Sequence, residues 1–429
     1  MARRSQSQNS RRRRSNLYGP ARPEFSGANE AQLLRGGDAL FPQMIQGIHA
    51  ARDEVWLATY IFHRDAAGEA LLAALVAAAL RGVRVRMVVD GFGSKASVAW
   101  LREQTRNTTL GLAVFRPIRR WWSWLQPGQL RRLHQKLCVI DGQQAFVGGI
   151  NLIDDRIDLR HGPSEAPRLD FAVALRGRVV EPIEQAARAV WTRAWLGRDF
   201  GEELLAVVRS PEPMRRVKRL LRGLRMPRGA DVGAEGLPPV CAAFVLRDNL
   251  RQRRTIEHAY IEAIRAARVS VDLITPYFYP GQSFRRALRQ AAQRGVRVRL
   301  LLQGKVDYLL AGMAAHALYA ELLGHGVQIY EYTPAWLHAK VAVVDGHWAT
   351  VGSSNIDPLS LLLNLEANVI VLDTLFASDL AREFELALSQ SAQVEKSAGG
   401  GGWRRVLSRA LVAWVAYVYL RVAGATGRY

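Results

Sequence analysis

The apolar positions of this chain fall into the same order twice. IHAARDEVWLATYIF (Ile48 to Phe62) reads as the end of a helix followed by a strand, and IRAARVSVDLITPYF (Ile264 to Phe278) repeats it. A helix-like stretch follows each copy and leads into RGVRVRMVVD (Arg81 to Asp90) or RGVRVRLLLQ (Arg294 to Gln303). The Gly suits a helix C-terminus, and the alternation after it predicts a strand with Val inward and Arg outward. Further on come LHQKLCVIDG (Leu133 to Gly142) and LHAKVAVVDG (Leu337 to Gly346), each a short strand ending in a turn. The pattern predicts two tandem α/β domains, each a mixed, mostly parallel sheet flanked by helices, related by pseudo-two-fold symmetry.

A length of 429 residues suits two or three units at roughly 150 residues each. The expected divisions are a basic arm at 1–30, a first domain at 31–208, a linker at 209–239, a second domain at 240–392, and a basic, aromatic tail at 393–429. The linker holds MRRVKRLLRGLRM between ends rich in Pro and Gly, a basic amphipathic stretch suited to solvent or to lipid headgroups. Charge changes the picture more than length does. A net charge of +21 requires a polyanionic partner, either nucleic acid or an anionic membrane surface.

Two cysteines, Cys138 and Cys241, exclude a disulfide framework and a Cys-rich zinc site and suit a cytosol-facing protein. The arginines of MARRSQSQNSRRRRSN have no apolar core behind them, so this start does not read as a secretory leader. Ala410 to Leu420 (ALVAWVAYVYL) falls short of the roughly 20 apolar residues that span a bilayer and is flanked by Arg409 and Arg421, which suits surface association. Trp121, Trp122 and Trp124 sit among arginines before the first His motif, a mixture that fits a membrane interface but could also stack bases.

The repeated His and Lys carry the chemistry. Residues i and i+2 of a strand share a face, so His134 points with Lys136 and His338 with Lys340. Each copy then reaches a Gly and an Asn: GGIN ends at Asn151 and GSSN at Asn355. Lys charge, Asn and backbone donors, and an imidazole able to attack or to give a proton make a site for a phosphodiester. Two copies supply one neutral imidazole and one imidazolium, which transfer through a covalent intermediate needs. Asp141 and Asp345 complete the motif; their position before a Gly also suits tying down the turn.

HxKxxxxD followed by GGxN or GSxN, present twice, resembles the phospholipase D superfamily. GSSNIDPLSLLLNLEANVIV (Gly352 to Val371), FVLRDN (Phe244 to Asn249) and HWATVG (His347 to Gly352) resemble bacterial cardiolipin synthases, closest to their B type, over roughly Gln32 to Ala387. The resemblance implies two phospholipase D-like domains and a phosphatidyltransferase that joins two phosphatidylglycerol molecules into cardiolipin and glycerol through a phosphohistidine. The catalytic set it implies is His134, Lys136, Asp141, His338, Lys340 and Asp345, with His134 as nucleophile. Asn151, Ser353 and Asn355 would bind the phosphate, Ser353 standing where the first copy has Gly149. Asp170 and Glu366 would orient the imidazoles.

No cofactor and no metal is implied. The implied partners are phosphatidylglycerol and other anionic phospholipids, met by peripheral association with the cytoplasmic face of the inner membrane; nucleic acid is disfavoured as a partner. A phosphodiesterase or nuclease acting on another phosphodiester is the alternative the residues leave open. So do phosphatidylethanolamine with glycerol, or water, as substrates.

Overall fold

A computed structural model describes residues 22–117, 131–159, 161–208, 236–247, 252, 254–305, 318–357 and 364–395. Most of the expected arm, linker and tail lies outside these residues, as do Trp121, Trp122, Trp124, Asp248 and Asn249. The first strand begins at Ser26, inside the stretch read as an arm.

The first half runs β1 (Ser26–Arg35), α1 (Gly36–Ala50), β2 (Glu54–Thr59), α2 (Ala66–Leu80), β3 (Arg84–Asp90), α3 (Val98–Thr105) and β4 (Gly111–Phe115). It continues with β5 (Leu137–Ile140), β6 (Gln144–Gly148), the short β7 (Ile157–Asp158) and β8 (Gly162–Pro163), β9 (Phe171–Gly177) and α4 (Val180–Val208). The second half runs β10 (Val240–Arg247), α5 (Thr255–Ala266), β11 (Ser270–Thr275), α6 (Gln282–Gln293), β12 (Arg297–Gln303) and β13 (Gln328–Tyr332). After these come β14 (Val341–Val344), β15 (Trp348–Gly352), β16 (Glu366–Leu372), α7 (Thr374–Ser389) and β17 (Ser391–Gln393).

Fifteen of these strands form one sheet, ordered β17-β13-β12-β11-β14-β15-β16-β10-β1-β9-β6-β5-β2-β3-β4. Read outward from the antiparallel β1–β10 junction, the two halves have the same order, so a pseudo-two-fold axis passes between them. The mixed α/β class holds, but the sheet is mostly antiparallel. Parallel pairing is confined to β2–β3–β4 and β11–β12–β13. Helical crossovers carry the chain back to the same end of the sheet in β2 to β3 and β11 to β12, and only such connections make neighbours parallel. The motif strands β5 and β14 instead fold back at Asp141-Gly142 and Asp345-Gly346, all four at positive φ between 51° and 66°, a tight-hairpin geometry that enforces antiparallel neighbours.

Helices cover both faces. The helices α1 and α2 bury Leu40, Met44, Ile48, Leu71 and Leu75 on one face of the first half, and α5 and α6 do the same in the second. On the opposite face α4 and α7 share a single core with strands from both halves, including Ile183, Val190, Leu380 and Phe384. This shared core joins the halves and leaves little of the sheet to water. The arginines expected to point outward are affected accordingly. Arg299 is buried and bound to Asp272 at 2.6 and 2.9 Å and to Glu385 at 2.7 Å, while Arg86 lies over Trp191. Gly82 and Gly295 take the left-handed conformation that closes α2 and α6, as the RGVRVR pattern predicts. Among the described residues no helix is long and apolar enough to cross a membrane.

Candidate active site

Both motif histidines lie just upstream of their strands, at the C-terminal ends of the parallel triplets. Each motif is laid against the other half of the molecule. His134 N–H donates to Leu365 O at 3.0 Å and Leu365 N–H to Arg132 O at 2.9 Å, so the first motif pairs with the segment entering β16. Reciprocally, Leu169 N–H donates to Trp336 O, and His338 N–H to Leu169 O, both at 2.9 Å, joining the second motif to the segment entering β9.

This pairing crosses the carboxylates between halves. Glu366 of β16 accepts from His134 Nδ1 at 2.9 Å, and Asp170, at the start of β9, accepts from His338 Nδ1 at 2.6 Å. Each acid therefore serves the histidine of the opposite half. With Nδ1 committed, each imidazole has Nε2 as its remaining reactive atom. The lysines fold back beneath the histidines: Lys136 donates to His134 O at 2.7 Å, and Lys340 donates to His338 O.

Burial sets the electrostatics. The histidine side chains are 12% (His134) and 23% (His338) exposed, whereas the two acids are sealed. Desolvation lowers His134, partly offset by Glu366, and lowers His338 well below 6.5, with Lys340 and Arg168 adding to the effect. Desolvation also lowers Lys136 to about 8 and Lys340 to about 7, and raises Asp170 to about 7. Burial would raise Glu366 too, but the charge and hydrogen bond of His134, with Lys136 and Ser353, hold it below its ordinary value. The His134–Glu366 pair is thus an imidazole on an ionised carboxylate. For the His338–Asp170 pair, burial pushes both groups towards their neutral forms.

The remaining sequence-predicted residues divide. Asn151 and Asn355 are both buried next to the ends of β2 and β11, where their neighbours Leu152 and Ile356 bridge Phe62 and Phe278. Asn151 Oδ1 accepts weakly from Ile61 N–H at 3.3 Å. The Ser353 hydroxyl is engaged with the neighbouring acid and its strand. It is fully buried, donates to Glu366 Oε2 at 2.5 Å and accepts Ala367 N–H at 3.0 Å. Asp141 and Asp345 are away from the reacting atoms. Asp141 accepts the N–H groups of Arg52, Asp53 and Glu54 at 2.8 to 2.9 Å, and Asp345 those of Arg268, Val269 and Ser270, also at 2.8 to 2.9 Å. They pin the entries to β2 and β11, because a carboxylate at the first position of the hairpin turn faces the N–H groups at the start of the neighbouring strand.

Sequence reasoning missed two contributors. The ring of Tyr60 lies 5.0 Å from that of His134 and 5.6 Å from Lys136 Nζ; the aligned residue of the second half is Pro276. Asp90 Oδ2 accepts Leu133 N–H at 2.9 Å, and its counterpart Gln303 accepts Leu337 N–H at 2.7 Å, so each braces the residue before a motif histidine. Their matched places at the ends of the RGVRVR strands were the available signal.

Comparison with known proteins shows the family to which the chain belongs. A family model described as "Cardiolipin synthase, PLD-like domain" matches residues 44–161 and 260–387. Cardiolipin synthase B of Escherichia coli strain K12 is 38% identical over 361 residues, covering 82% of this chain and 78% of that protein. Cardiolipin synthase B of Salmonella typhi is 36% identical over 377 residues, covering 86% and 83%. Among solved structures, phosphatidylserine synthase of Haemophilus influenzae Rd KW20 shares the fold, with a TM-score of 0.60 at 12% identity over 92% of this chain and 94% of that one.

Proposed function

Because the chain belongs to the cardiolipin synthase, PLD-like family, we propose that it transfers a phosphatidyl group between two phosphatidylglycerol molecules, giving cardiolipin and glycerol. The observation that carries this reading is the crossed pair of His–carboxylate contacts above two lysines. One half alone supplies a histidine without its acid.

In the proposed first step His134 Nε2 attacks the phosphorus of the donor. The bond from phosphorus to the glycerol headgroup breaks, and His338 Nε2–H protonates the departing oxygen. Glu366 keeps the proton of His134 on Nδ1 and stabilises the cationic phosphohistidine. In the second step His338 takes the proton of the acceptor's primary hydroxyl. That oxygen attacks phosphorus, the P–N bond breaks, and His134 is restored. Lys136, Lys340, Asn151 and Asn355 balance the charge on the phosphoryl oxygens. A bound anion would also favour the charged form of the lysines, whose burial otherwise opposes it. Ser353, Asp141 and Asp345 act on position: the first holds Glu366, the others the strand entries. The substrates place the reaction at a membrane surface, and we assign it to the cytoplasmic face of the inner membrane.

Purified chain mixed with phosphatidylglycerol vesicles should yield equal amounts of cardiolipin and glycerol. His134→Ala and His338→Ala should each reduce this by about 1,000-fold or more. Undiminished synthesis by either variant contradicts the two-histidine mechanism.

A further inference from the structure

The halves differ sharply in how the chain travels from the third parallel strand to its motif. In the second half β13 ends at Tyr332, and Thr333, Pro334, Ala335 and Trp336, none of them charged, lead to Leu337. In the first half β4 ends at Phe115, and the chain from Arg116 to Arg132 intervenes. That segment contains Arg116, Arg119, Arg120, Arg131 and Arg132 and no Asp or Glu.

Its two described ends meet beside the first motif. Arg116 donates to Arg131 O at 3.3 Å, and Arg132 donates to Arg116 O at 3.1 Å. Burial, and then the positive charge of Arg193 on α4, Arg131 and Arg132, lowers the Arg116 guanidinium to about 10. Asp90 offsets part of this charge: it raises Arg116 and lies 3.9 Å from Arg132, but its oxygens also accept the N–H groups of Phe92, Gly93 and Leu133, so one carboxylate faces several guanidiniums. Arg116 also has a φ of 47°, a strained conformation for a residue with a side chain. Like-charge repulsion at one place is a cost that a bound anion offsets.

We infer that Arg116, Arg131, Arg132 and Arg193 hold the phosphodiester of the acceptor phospholipid, on the His134 side of the site. This rests on the transfer reaction proposed above. In cardiolipin one glycerol separates two phosphates, so the acceptor's own phosphate lies one glycerol away from the phosphorus under attack. Arg132 precedes His134 by two extended residues, about 7 Å, which is that scale. Water brings no phosphate to this subsite, so the arginines select transfer over hydrolysis.

The test uses the full chain with Arg116→Gln and Arg193→Gln, singly and together, on phosphatidylglycerol dispersed in phosphatidylcholine vesicles. Cardiolipin and phosphatidic acid are measured from the same reaction. The double variant should lower the cardiolipin-to-phosphatidic-acid ratio at least tenfold. Arg193→Gln, an exposed change that spares the fold, should lower it in the same direction. An unchanged ratio overturns the inference, and so does an equal loss of both products. Co-sedimentation with the vesicles separates a subsite from general surface attraction: binding that falls by the same factor as transfer overturns it. If sn-glycerol 3-phosphate serves as acceptor as readily as the vesicles do, the lipid assignment is overturned. A native chain that makes phosphatidic acid but no cardiolipin contradicts the transferase reading itself, whereas native synthesis with an unchanged variant ratio contradicts only the subsite.

Discussion

The two halves bring a histidine, a lysine and a carboxylate to matching positions, yet the carboxylates differ by one methylene. The residue facing each carboxylate differs with it. Asp170 lies against Gly149, where an added Cβ would stand 2.3 Å from Oδ1. Glu366, the longer acid, is held by the Ser353 hydroxyl at 2.5 Å. The Gly/Ser difference between the motifs thus follows the acid that each residue packs against. The electrostatics diverge in parallel, with Glu366 held ionised and Asp170 raised to about 7. A duplicated fold has acquired two unlike histidine sites, and the proposed mechanism gives attack to one and proton transfer to the other.

The largest break in this comparison should come from Glu366→Gln. On the proposed mechanism it removes the anion behind the nucleophile and frees the tautomer, so cardiolipin formation should fall by about 1,000- to 10,000-fold. Equal effects of Glu366→Gln and Asp170→Asn at every pH would erase the distinction between the halves. Gly149→Ala comes next. Its Cβ forces Asp170 away from His338, and the expected loss is about 100-fold, roughly the value of positioned acid–base catalysis. Unchanged rates would mean that the contact relaxes freely.

A pH profile sharpens the same contrast. Asp170, raised to about 7, keeps a proton that an exposed Asp loses near 4, while His338 is pushed down. The pair keeps Nε2 protonated until pH passes about 7, and above that the donor is lost. Cardiolipin formation should therefore decline by about tenfold per pH unit on the alkaline side. Asp170→Asn should move that limb. A limb unmoved by the change would assign it to another group.

Smaller effects are expected from the supporting residues. Ser353→Ala should cost about tenfold in rate, since Glu366 retains His134. Asp345→Asn should act on stability. Burial would raise Asp345, but the N–H groups of Ser270, Val269 and Arg268 together hold it below its ordinary value. Its contribution is thus present above pH 4 and lost as pH falls through the depressed value. With the carboxylate largely in solvent, the expected cost is about 1 kcal/mol at pH 7, visible as a lower melting temperature. A melting temperature unchanged at pH 7 would contradict this role.

Much of this was legible in the sequence because short repeats encode local structure. The RGVRVR strands, the HxK pairs and the Asp-Gly turns all lie within about ten residues of the features they determine. What escaped is what depends on distant contacts. His134 and Glu366 are 232 residues apart, and nothing near either residue shows that its partner lies in the other half. Helix-strand alternation suggests a mostly parallel sheet, but the hairpins at Asp141-Gly142 and Asp345-Gly346 make most neighbours antiparallel. The contact of Ser353 with Glu366 is likewise invisible in the motif, because the two meet only across adjacent strands. Tyr60 looked like any apolar strand end until His134 came to rest beside it.

The most direct test of the central claim is to trap the covalent intermediate. A phosphodiester with a nitrophenolate leaving group needs no general acid, so His338→Ala should still form the adduct while being slow to discharge it. After an alkaline quench, mass spectrometry of the peptide containing residues 133–142 should find the phosphoryl group on His134. A phosphoryl group on His338 in the native chain, with none on His134, would contradict the assignment of the two halves.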